Sequence, residues 1–269
     1  MSLEKKHHLL IIDPQNDFCD PSGSLFVPGA SSDMERLAQF MHNKKTTLNR
    51  LFITLDSHHH YDIAHPSYWI HQSGADVEPF TTVTIDDIHY KRIVPRNRED
   101  RDRTYNYLCE LDRMGTSHTI WPEHCLIGSW GHQIYPIIAQ AIQAFQGRIH
   151  QSPTVLFKGM NPYTEHFSAL SAIIPDMMDR HTQFQTMFAE ELLNCDHLYI
   201  AGEALSHCVA STIQDLIRTV DCKQRSPITL LLNASSPVSG FESIVDVMLE
   251  EWSQAGIYIK DIHEVLEEE

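Results

Sequence analysis

The feature that most constrains the fold is a regular alternation of short apolar segments with longer amphipathic ones. Runs of β-branched and other apolar residues predict strands at 8–13, 51–56, 153–157, 197–202, 228–232 and 257–262. Apolar residues at helical spacing predict helices at 34–43, 132–145, 184–194 and 241–255, and a further helix that begins near Cys208. This βαβα order predicts an α/β fold with a mostly parallel central sheet covered by helices on both faces.

Two segments interrupt the alternation. Residues 62–93 are predicted to form loops with a short β excursion, and residues 96–118 are polar and rich in charge. We interpret the second segment as an insertion, and we expect a solvated surface excursion rather than a mobile flap. A length of 269 residues fits one large α/β domain or two small domains. We predict a single domain that spans residues 1–269 and contains this insertion.

Charge and hydropathy exclude several classes of partner. A formal net charge of −16 argues against nucleic acids and anionic membrane surfaces, which attract Lys and Arg. The apolar runs are too short to span a bilayer, and no secretory signal precedes the first predicted strand. The six cysteines form no CxxC pair, so we expect reduced thiols and a cytoplasmic protein.

Three polar residues lie just past predicted strands. Asp13 ends the first strand, Lys158 ends the third, and Cys208 follows the fourth. Each alone has an ordinary structural interpretation, but ligands of parallel sheets bind at the carboxyl ends of the strands, where the three would meet. A helix N-terminus and a nearby ammonium are expected to lower the pKa of the thiol, while a carboxylate can move its proton. The set therefore predicts an acyl-transfer site whose oxyanion is bound by backbone N–H groups.

A second cluster is rich in histidine. Asp56 and His58 end the second predicted strand, His65 follows shortly after, and His124 lies in a WPEHC segment further along the chain. A carboxylate with imidazoles suits Zn²⁺, Fe²⁺ or Mn²⁺. From spacing alone, a metal site and a metal-free histidine-rich loop are equally compatible with this pattern.

Five sequence blocks, taken in order, resemble one family. They are IIDPQNDFCDPSGSL at 11–25, LDSHH at 55–59, WPEHCLIGSWG at 121–131, FKGMNPYTEHFSAL at 157–170 and AGEALSHCVAST at 201–212. Together they cover nearly the whole chain and resemble nicotinamidases/pyrazinamidases, within the isochorismatase-like cysteine hydrolases. That resemblance implies the isochorismatase-like hydrolase fold, a three-layer α/β/α arrangement. The WPEHC block is similar to the metal-containing members of the family.

The resemblance implies catalytic roles for matched positions. Cys208 would be the nucleophile, Asp13 the general acid and base, and Lys158 the third member of the triad. The backbone N–H groups of Ala204 and Cys208 would form the oxyanion hole, and the Glu203–Ala204 peptide bond would be cis.

The resemblance also implies a metal and a substrate site. Asp56, His58 and His124 would bind one divalent ion, with zinc, iron and manganese all compatible, while Phe18 and Trp121 would flank the ring of the substrate. Some relatives carry a further His ligand at a position that is Ala64 here, and His65 lies one residue later. Whether a one-residue loop change brings His65 to the ion stays open, and the neighbouring His59 and His60 have no assigned role.

The implied reaction is hydrolysis of nicotinamide to nicotinic acid and ammonia through a thioester, in NAD salvage. A small aromatic amide is the expected partner, and homo-oligomer formation is a further expectation from the resemblance. One alternative is the same chemistry on another small amide or carbamoyl compound, in relatives that tend to lack the metal cluster. An isochorismatase-type vinyl ether hydrolase would lack Cys208, and a non-catalytic binding member of the fold would be expected to lose part of the triad.

Overall fold

The computed structural model describes residues 5–44, 47–219 and 227–268. The strands are β1 (His7–Ile12), β2 (Leu48–Asp56), β3 (Trp69–His71), β4 (Thr82–Val83), β5 (Ile93–Pro95), β6 (His118–Thr119), β7 (Thr154–Lys158), β8 (His197–Gly202), β9 (Ile228–Leu231) and β10 (Tyr258–Lys260). The α-helices are α1 (Asn16–Cys19), α2 (Ala30–Asn43), α3 (Ile85–His89), α4 (Arg101–Arg113), α5 (Pro136–Ile149), α6 (Thr186–Leu193), α7 (Ala210–Thr219), α8 (Val245–Gln254) and α9 (Ile262–Glu267).

The main sheet has six strands in the order β10-β9-β8-β1-β2-β7. Every pairing between these neighbours is parallel. The strand order reverses direction next to β1, because the chain moves from β1 outward to β2 and β7 and then returns to β8 on the other side. Such a reversal opens a crevice at the carboxyl ends of the strands, which is where ligands bind in open α/β sheets.

Alternation along the central strands explains the three layers. In β1, Leu9 and Ile11 belong to one hydrophobic cluster, whereas Leu10 and Ile12 belong to another. Successive side chains of a strand point to opposite faces, so the two clusters lie on opposite sides of the sheet. The predicted three-layer α/β/α fold is therefore confirmed.

Helices cover both faces with the apolar stripes that their spacing provides. Helices α2 and α5 pack on the first face, and α6, α7 and α8 pack on the second. Helix α5 begins with Pro136, whose fixed φ suits the first helical position, and it is capped by the following residue His150, which has a left-handed φ of 55°. The buried residues contributed by α2 and α5 are Met34, Leu37, Phe40, Ile138, Ile142 and Phe145.

Residues 61–120 form a smaller unit, here called the accessory region, with its own hydrophobic cluster. Its antiparallel pairs are β3 with β5 and β4 with β6. Helix α4 lies within the polar segment 96–118 and buries Thr104, Tyr107, Leu108 and Leu111. The segment is thus an amphipathic helix with one packed face, and not the solvated surface excursion expected from its charge. Its status as an insertion in a single domain stays a prediction.

Two other features bear on the sequence predictions. Among the described residues, Cys19, Cys109, Cys125 and Cys208 carry free thiols, whereas Cys222 lies outside the described residues. In the part of the chain that the structure describes, no helix combines the length and the apolar character needed to cross a membrane.

Candidate active site

Four strands deliver the predicted site residues to one edge of the sheet. Asp13 directly follows β1, while Asp56 and Lys158 are the last residues of β2 and β7. Cys208 lies in a π-helical turn, Leu205–Val209, that follows β8 and leads into α7. Because these strands are parallel neighbours, their carboxyl ends meet, and the structure brings the predicted residues together.

The Lys158 ammonium lies at the centre of this group. Its Nζ lies 2.8 Å from Asp13 Oδ2 and 2.9 Å from Asp56 Oδ1. It also donates a hydrogen bond of 3.1 Å to the carbonyl oxygen of His166 and lies 3.5 Å from Cys208 Sγ. All of these side chains are buried, so the charges interact with little screening by water. The predicted triad of Asp13, Lys158 and Cys208 therefore forms one contact network.

Asp13 is held in place by the neighbouring strand. The Thr54 hydroxyl donates a hydrogen bond of 2.6 Å to Asp13 Oδ1, and the Asp13 N–H donates one of 3.0 Å to the same hydroxyl. The backbone of Asp13 has a φ of 46°, in the left-handed region that non-glycine residues seldom adopt. Such outliers concentrate at functional sites, where the surroundings hold them.

The electrostatics correct one expectation. Burial raises the pKa of the Cys208 thiol well above its usual range; Lys158 opposes this shift, and Asp13 and Asp56 reinforce it. The predicted fall in the thiol pKa is therefore wrong, because desolvation of the thiolate outweighs the helix terminus and the ammonium. Burial also raises the pKa of Asp13, despite the opposing charge of Lys158. The resting group is thus a neutral thiol beside a base, and a proton must move before the sulfur can attack.

The turn before Cys208 has the geometry implied by the family. The Glu203–Ala204 peptide bond is cis, as predicted. The Ala204 carbonyl accepts hydrogen bonds from the N–H groups of His207, at 3.0 Å, and Val209, at 3.2 Å, which closes the turn around Cys208. The use of the Ala204 and Cys208 N–H groups as an oxyanion hole stays a prediction.

A cluster of donor atoms that could hold a metal ion lies directly beside the triad. One nitrogen from each of His58, His65 and His124 lies within 4.8 Å of the others, and all three side chains are buried. Asp56 Oδ2 lies 3.1 Å from His58 Nε2 and 3.3 Å from His124 Nε2. The structure therefore brings the predicted ligands Asp56, His58 and His124 together and adds His65, whose position the sequence left open.

This donor set fits a divalent transition metal. Bonds of roughly 2.0–2.2 Å at tetrahedral angles place neighbouring donor atoms about 3.3–3.6 Å apart, close to the separations around Asp56 Oδ2. His58 Nδ1 lies 3.1 Å from Asp62 Oδ2, and His124 Nδ1 lies 2.8 Å from the Pro122 carbonyl oxygen. These contacts fix both rings and leave Nε2 facing Asp56, an outer-shell arrangement typical of metal-binding histidines. His59 and His60 are exposed instead.

Asp56 links the two clusters electrostatically. Although burial alone would raise its pKa, His58, Lys158 and His124 hold the pKa of Asp56 well below its usual range. One carboxylate oxygen faces the Lys158 ammonium and the other faces two imidazoles. Asp56 is therefore an anion that serves the donor cluster and the triad at the same time.

The predicted ring-flanking residues are both buried at this edge. The Phe18 ring centroid lies 5.5 Å from that of His124, and the Trp121 centroid lies 5.0 Å from that of His207, the residue before Cys208. Trp121, His207 and Phe241 line a cavity of about 680 Å³. None of the triad residues lines that cavity. We therefore locate the chemistry at the triad and regard the cavity as a neighbouring space behind the aromatic side chains.

Several residues that organise the site were not predicted from the sequence. The Gln15 side chain donates a hydrogen bond of 2.8 Å to the Asp56 carbonyl and accepts one of 2.8 Å from the Asp56 N–H, so it fixes the end of β2. Thr54 orients Asp13, and Asp62 orients His58. Gln15 lies within a block that resembles the family, and Asp62 lies four residues after His58. These positions were available signals, but their contacts depend on the folded loops.

Comparisons with known proteins agree with this geometry. No protein-family model matches the chain. The nicotinamidase of Saccharomyces cerevisiae is 24% identical over 253 residues, which are 94% of this chain and 98% of that protein. Its solved structure superposes with a TM-score of 0.66 and covers 95% of this chain and 99% of that one. The chain has the fold of the nicotinamidases.

Two further comparisons extend this result. The Escherichia coli nicotinamidase is 26% identical over 212 residues, 78% of this chain and 76% of that protein. The Pyrococcus horikoshii pyrazinamidase, solved in complex with zinc, has a TM-score of 0.56 at 18% identity and covers 95% of this chain and 98% of that one. The predicted resemblance to nicotinamidases/pyrazinamidases is confirmed.

Proposed function

We propose that this chain hydrolyses nicotinamide to nicotinic acid and ammonia, with Cys208 as the nucleophile. The observation that carries the proposal is the contact of Lys158 Nζ with Asp13, Asp56 and Cys208, at 2.8, 2.9 and 3.5 Å. That contact joins a nucleophile and a base to a metal-binding cluster in one buried site. The Saccharomyces cerevisiae relative, a nicotinamidase that has been solved with the inhibitor nicotinaldehyde, supports the same substrate class.

In the first half of the reaction, the Asp13 carboxylate takes the proton of the Cys208 thiol as Sγ attacks the amide carbon. The carbonyl π electrons move to the oxygen, and the N–H groups of Ala204 and Cys208 would stabilise that oxyanion. One such donor contributes about 2.7–4 kcal/mol in the transition state. The C–N bond then breaks as Asp13 gives its proton to the leaving nitrogen, which releases ammonia and leaves a thioester.

In the second half, Asp13 takes a proton from a water molecule whose oxygen attacks the thioester carbon. The C–S bond breaks, Cys208 recovers its proton, and nicotinic acid leaves. The positive charge of Lys158 acts throughout: it stabilises the Asp13 carboxylate and offsets the negative charge that develops on sulfur. A neutral resting thiol is compatible with this scheme, since the base acts only once a substrate is bound.

The metal-binding residues complete the proposed site. Asp56, His58, His65 and His124 would hold one divalent ion, with zinc, iron or manganese all compatible with the donors. When bound, the ion would act as a Lewis acid that orients the pyridine ring of the substrate. Phe18 and Trp121 would flank that ring with apolar surface and exclude water from the thiol.

The decisive experiment measures ammonia release from nicotinamide by the purified protein, with metal content determined on the same sample. We expect turnover together with about one metal ion per chain. The Cys208→Ala variant is the control, and it should lose at least about 10⁴-fold in kcat while remaining folded. A folded, metal-loaded wild-type protein that releases no ammonia from nicotinamide would contradict the proposed substrate, and substantial turnover by Cys208→Ala would contradict the proposed nucleophile.

A further inference from the structure

A buried pair of carboxyl groups lies directly behind the turn that carries Ala204 and Cys208. Glu203, the residue on the other side of the cis bond, has no exposed surface, and Asp33 in the first turn of α2 is only 2% exposed. Neither residue contacts the triad or the donor cluster through a hydrogen bond or ion pair that the structure records. A buried carboxyl group is costly unless it is paired, so this pair requires a physical explanation.

Ser236 joins this pair to the turn. Its N–H donates a hydrogen bond of 3.2 Å to Glu203 Oε2, and its hydroxyl donates one of 2.5 Å to Asp33 Oδ2. Its carbonyl oxygen accepts a 2.8 Å hydrogen bond from the N–H of Leu205. One residue therefore contacts both carboxyl groups and also the backbone of the turn, so a movement of the Glu203 side chain would be transmitted to the turn.

The charges around Glu203 and Asp33 favour a pair in which the two carboxyl groups differ in protonation. Arg36 Nη2 lies 2.5 Å from Asp33 Oδ1, and Arg36 Nε donates 2.5 Å to the Asn233 carbonyl, so Asp33 has a cationic partner. Burial and the charge of Asp33 raise the pKa of Glu203 well above its usual range. A protonated Glu203 can donate a hydrogen bond to Asp33 while it accepts one from Ser236, and this satisfies both partners.

We propose that Glu203 is a positioning residue: its buried carboxyl group, held with Asp33 by Ser236, fixes the turn that presents the Ala204 and Cys208 N–H groups. The inference rests on the proposed function, since those N–H groups matter for the oxyanion of amide hydrolysis. Glu203 acts through the turn and contacts no substrate atom. Its loss should therefore lower kcat and change KM much less, because the oxyanion forms only in the transition state.

The first test compares Glu203→Ala with Glu203→Gln. Alanine removes the carboxyl group that accepts from the Ser236 N–H and can donate to Asp33, and we expect kcat for nicotinamide to fall by about 10- to 100-fold with KM changed by less than about 3-fold. Glutamine has nearly the same shape, and it can donate to Asp33 and accept from Ser236, so its kcat should stay within about 3-fold of the wild-type value. Ser236→Ala removes only the hydroxyl that bridges to Asp33 and should lower kcat in the same direction by less, which provides a second route if Glu203→Ala does not fold.

The matched control is Asp100→Ala in the accessory region. Asp100 is also buried, 4% exposed, and accepts a 2.9 Å hydrogen bond from the hydroxyl of Tyr61, a residue outside the turn. Its loss should lower the melting temperature but leave kcat within about 2-fold, since only the turn variants alter oxyanion binding. An equal loss of kcat in Asp100→Ala would show that any lost buried carboxyl lowers activity, and would overturn the proposal.

Amide hydrogen exchange of residues 203–209 supplies a readout that needs no substrate. Exchange in this segment should be faster in Glu203→Ala and unchanged in Asp100→Ala, because only the first variant releases the turn. The exchange result decides the inference even if the wild-type chain releases no ammonia and the proposed function fails. Unchanged exchange in folded Glu203→Ala, or in folded Ser236→Ala where the first variant does not fold, would overturn it.

Discussion

The carboxyl edge of the main sheet and the accessory region bury polar groups in different ways. At the sheet edge, Asp13, Asp56 and Lys158 are buried as charged groups and contact one another. The accessory region also buries the carboxyl groups of Asp62 and Asp100, but other polar groups in its interior are neutral side chains with fixed partners. Trp69 Nε1 donates 2.7 Å to the Ile63 carbonyl, and the Tyr68 hydroxyl lies 2.6 Å from Thr104 Oγ1.

The two regions therefore differ in role: the sheet edge holds the reacting groups, and the accessory region supports the loop beside them. A cluster of buried charges is a weak source of stability but can hold a proton acceptor and a nucleophile ready for reaction. The neutral cluster instead fixes the loop that leads to the site, because the Ile120 N–H bonds to the Thr81 carbonyl at 2.9 Å and the Trp121 N–H to the Ala64 carbonyl at 2.7 Å. We therefore expect changes at the sheet edge to reduce activity first, and changes in the accessory region to reduce stability first.

The largest effect is expected from Asp13→Asn. The amide keeps the shape of the side chain but cannot accept and return a proton, so kcat should fall by roughly 10²- to 10⁴-fold. Thr54→Val is the graded companion, since it removes only the hydroxyl that donates 2.6 Å to Asp13 Oδ1 and should lower kcat by less. Steady-state kinetics with melting curves provide the measurement. An Asp13→Asn enzyme that keeps near wild-type kcat would show that another group moves the proton.

The second expected effect is a loss of stability in the Leu108→Ala variant, which changes a buried residue of helix α4. Leu108 is 1% exposed, and a leucine-to-alanine change in a packed core costs about 2–5 kcal/mol of unfolding free energy. Tyr105→Ala on the same helix is the control, because Tyr105 is 42% exposed and its loss should cost roughly 0.5 kcal/mol or less. Denaturant unfolding measures both. If the folded Leu108→Ala protein instead lost most of its kcat with little loss of stability, the division between the two regions would be wrong.

The same contrast explains what the sequence could predict. The four central strands of the main sheet, β9, β8, β1 and β2, are largely buried on both faces, so their apolar runs stand out, and Asp13 and Asp56 follow from where β1 and β2 end. The outer strand β7 exposes Val155 and Phe157, but its run of apolar residues still marks the strand that ends at Lys158. Strands β3 to β6 have two or three residues each, too few for a periodic signal. The packed face of α4 depends on Tyr107, Leu108 and Leu111 among many charged neighbours, so composition suggested a solvated segment.

Two properties of the site depend on the folded structure itself. The raised pKa of Cys208 comes chiefly from burial, which no local motif reports. The position of His65 depends on a loop in which Asp62 Oδ1 accepts a 3.0 Å hydrogen bond from the Ala64 N–H, a contact that spacing alone does not reveal. Burial and loop closure depend on residues that are distant in the sequence, whereas strand ends and sequence blocks can be recognised within a short stretch of it.

The third prediction concerns His65, which lies where the two regions meet. His65→Ala should weaken metal binding by at least about 10- to 100-fold, because its nitrogen lies among the donors of His58 and His124. His60→Ala is the matched control, since its side chain is 72% exposed and contacts Glu123, and it is not among the clustered donors. Metal titration and metal content after dialysis against a chelator measure the effect. Equal metal affinity in the two variants would remove His65 from the ligand set.

The effect that is smallest at neutral pH is a pH dependence of stability caused by His118. Burial lowers the pKa of His118 from 6.5 to about 4, although its hydrogen bond to the Ile63 carbonyl opposes the shift. The unfolded chain therefore binds one more proton than the folded chain between these pH values, so the folded state loses stability as the pH falls below about 6.5. The loss is about 1.4 kcal/mol per pH unit while the difference is fully developed.

The test compares His118→Gln with His89→Gln. Glutamine can still donate a hydrogen bond to the Ile63 carbonyl but does not titrate. The slope of the unfolding free energy against pH between about 6.5 and 4 should therefore decrease by the contribution of about one proton. His89 lies on α3 in the same region and is exposed, so its replacement should leave the slope unchanged. An unchanged slope in His118→Gln would mean that His118 is protonated in the folded state. His118 would then be a buried charged imidazole, and the contrast between the two regions would fail at this residue.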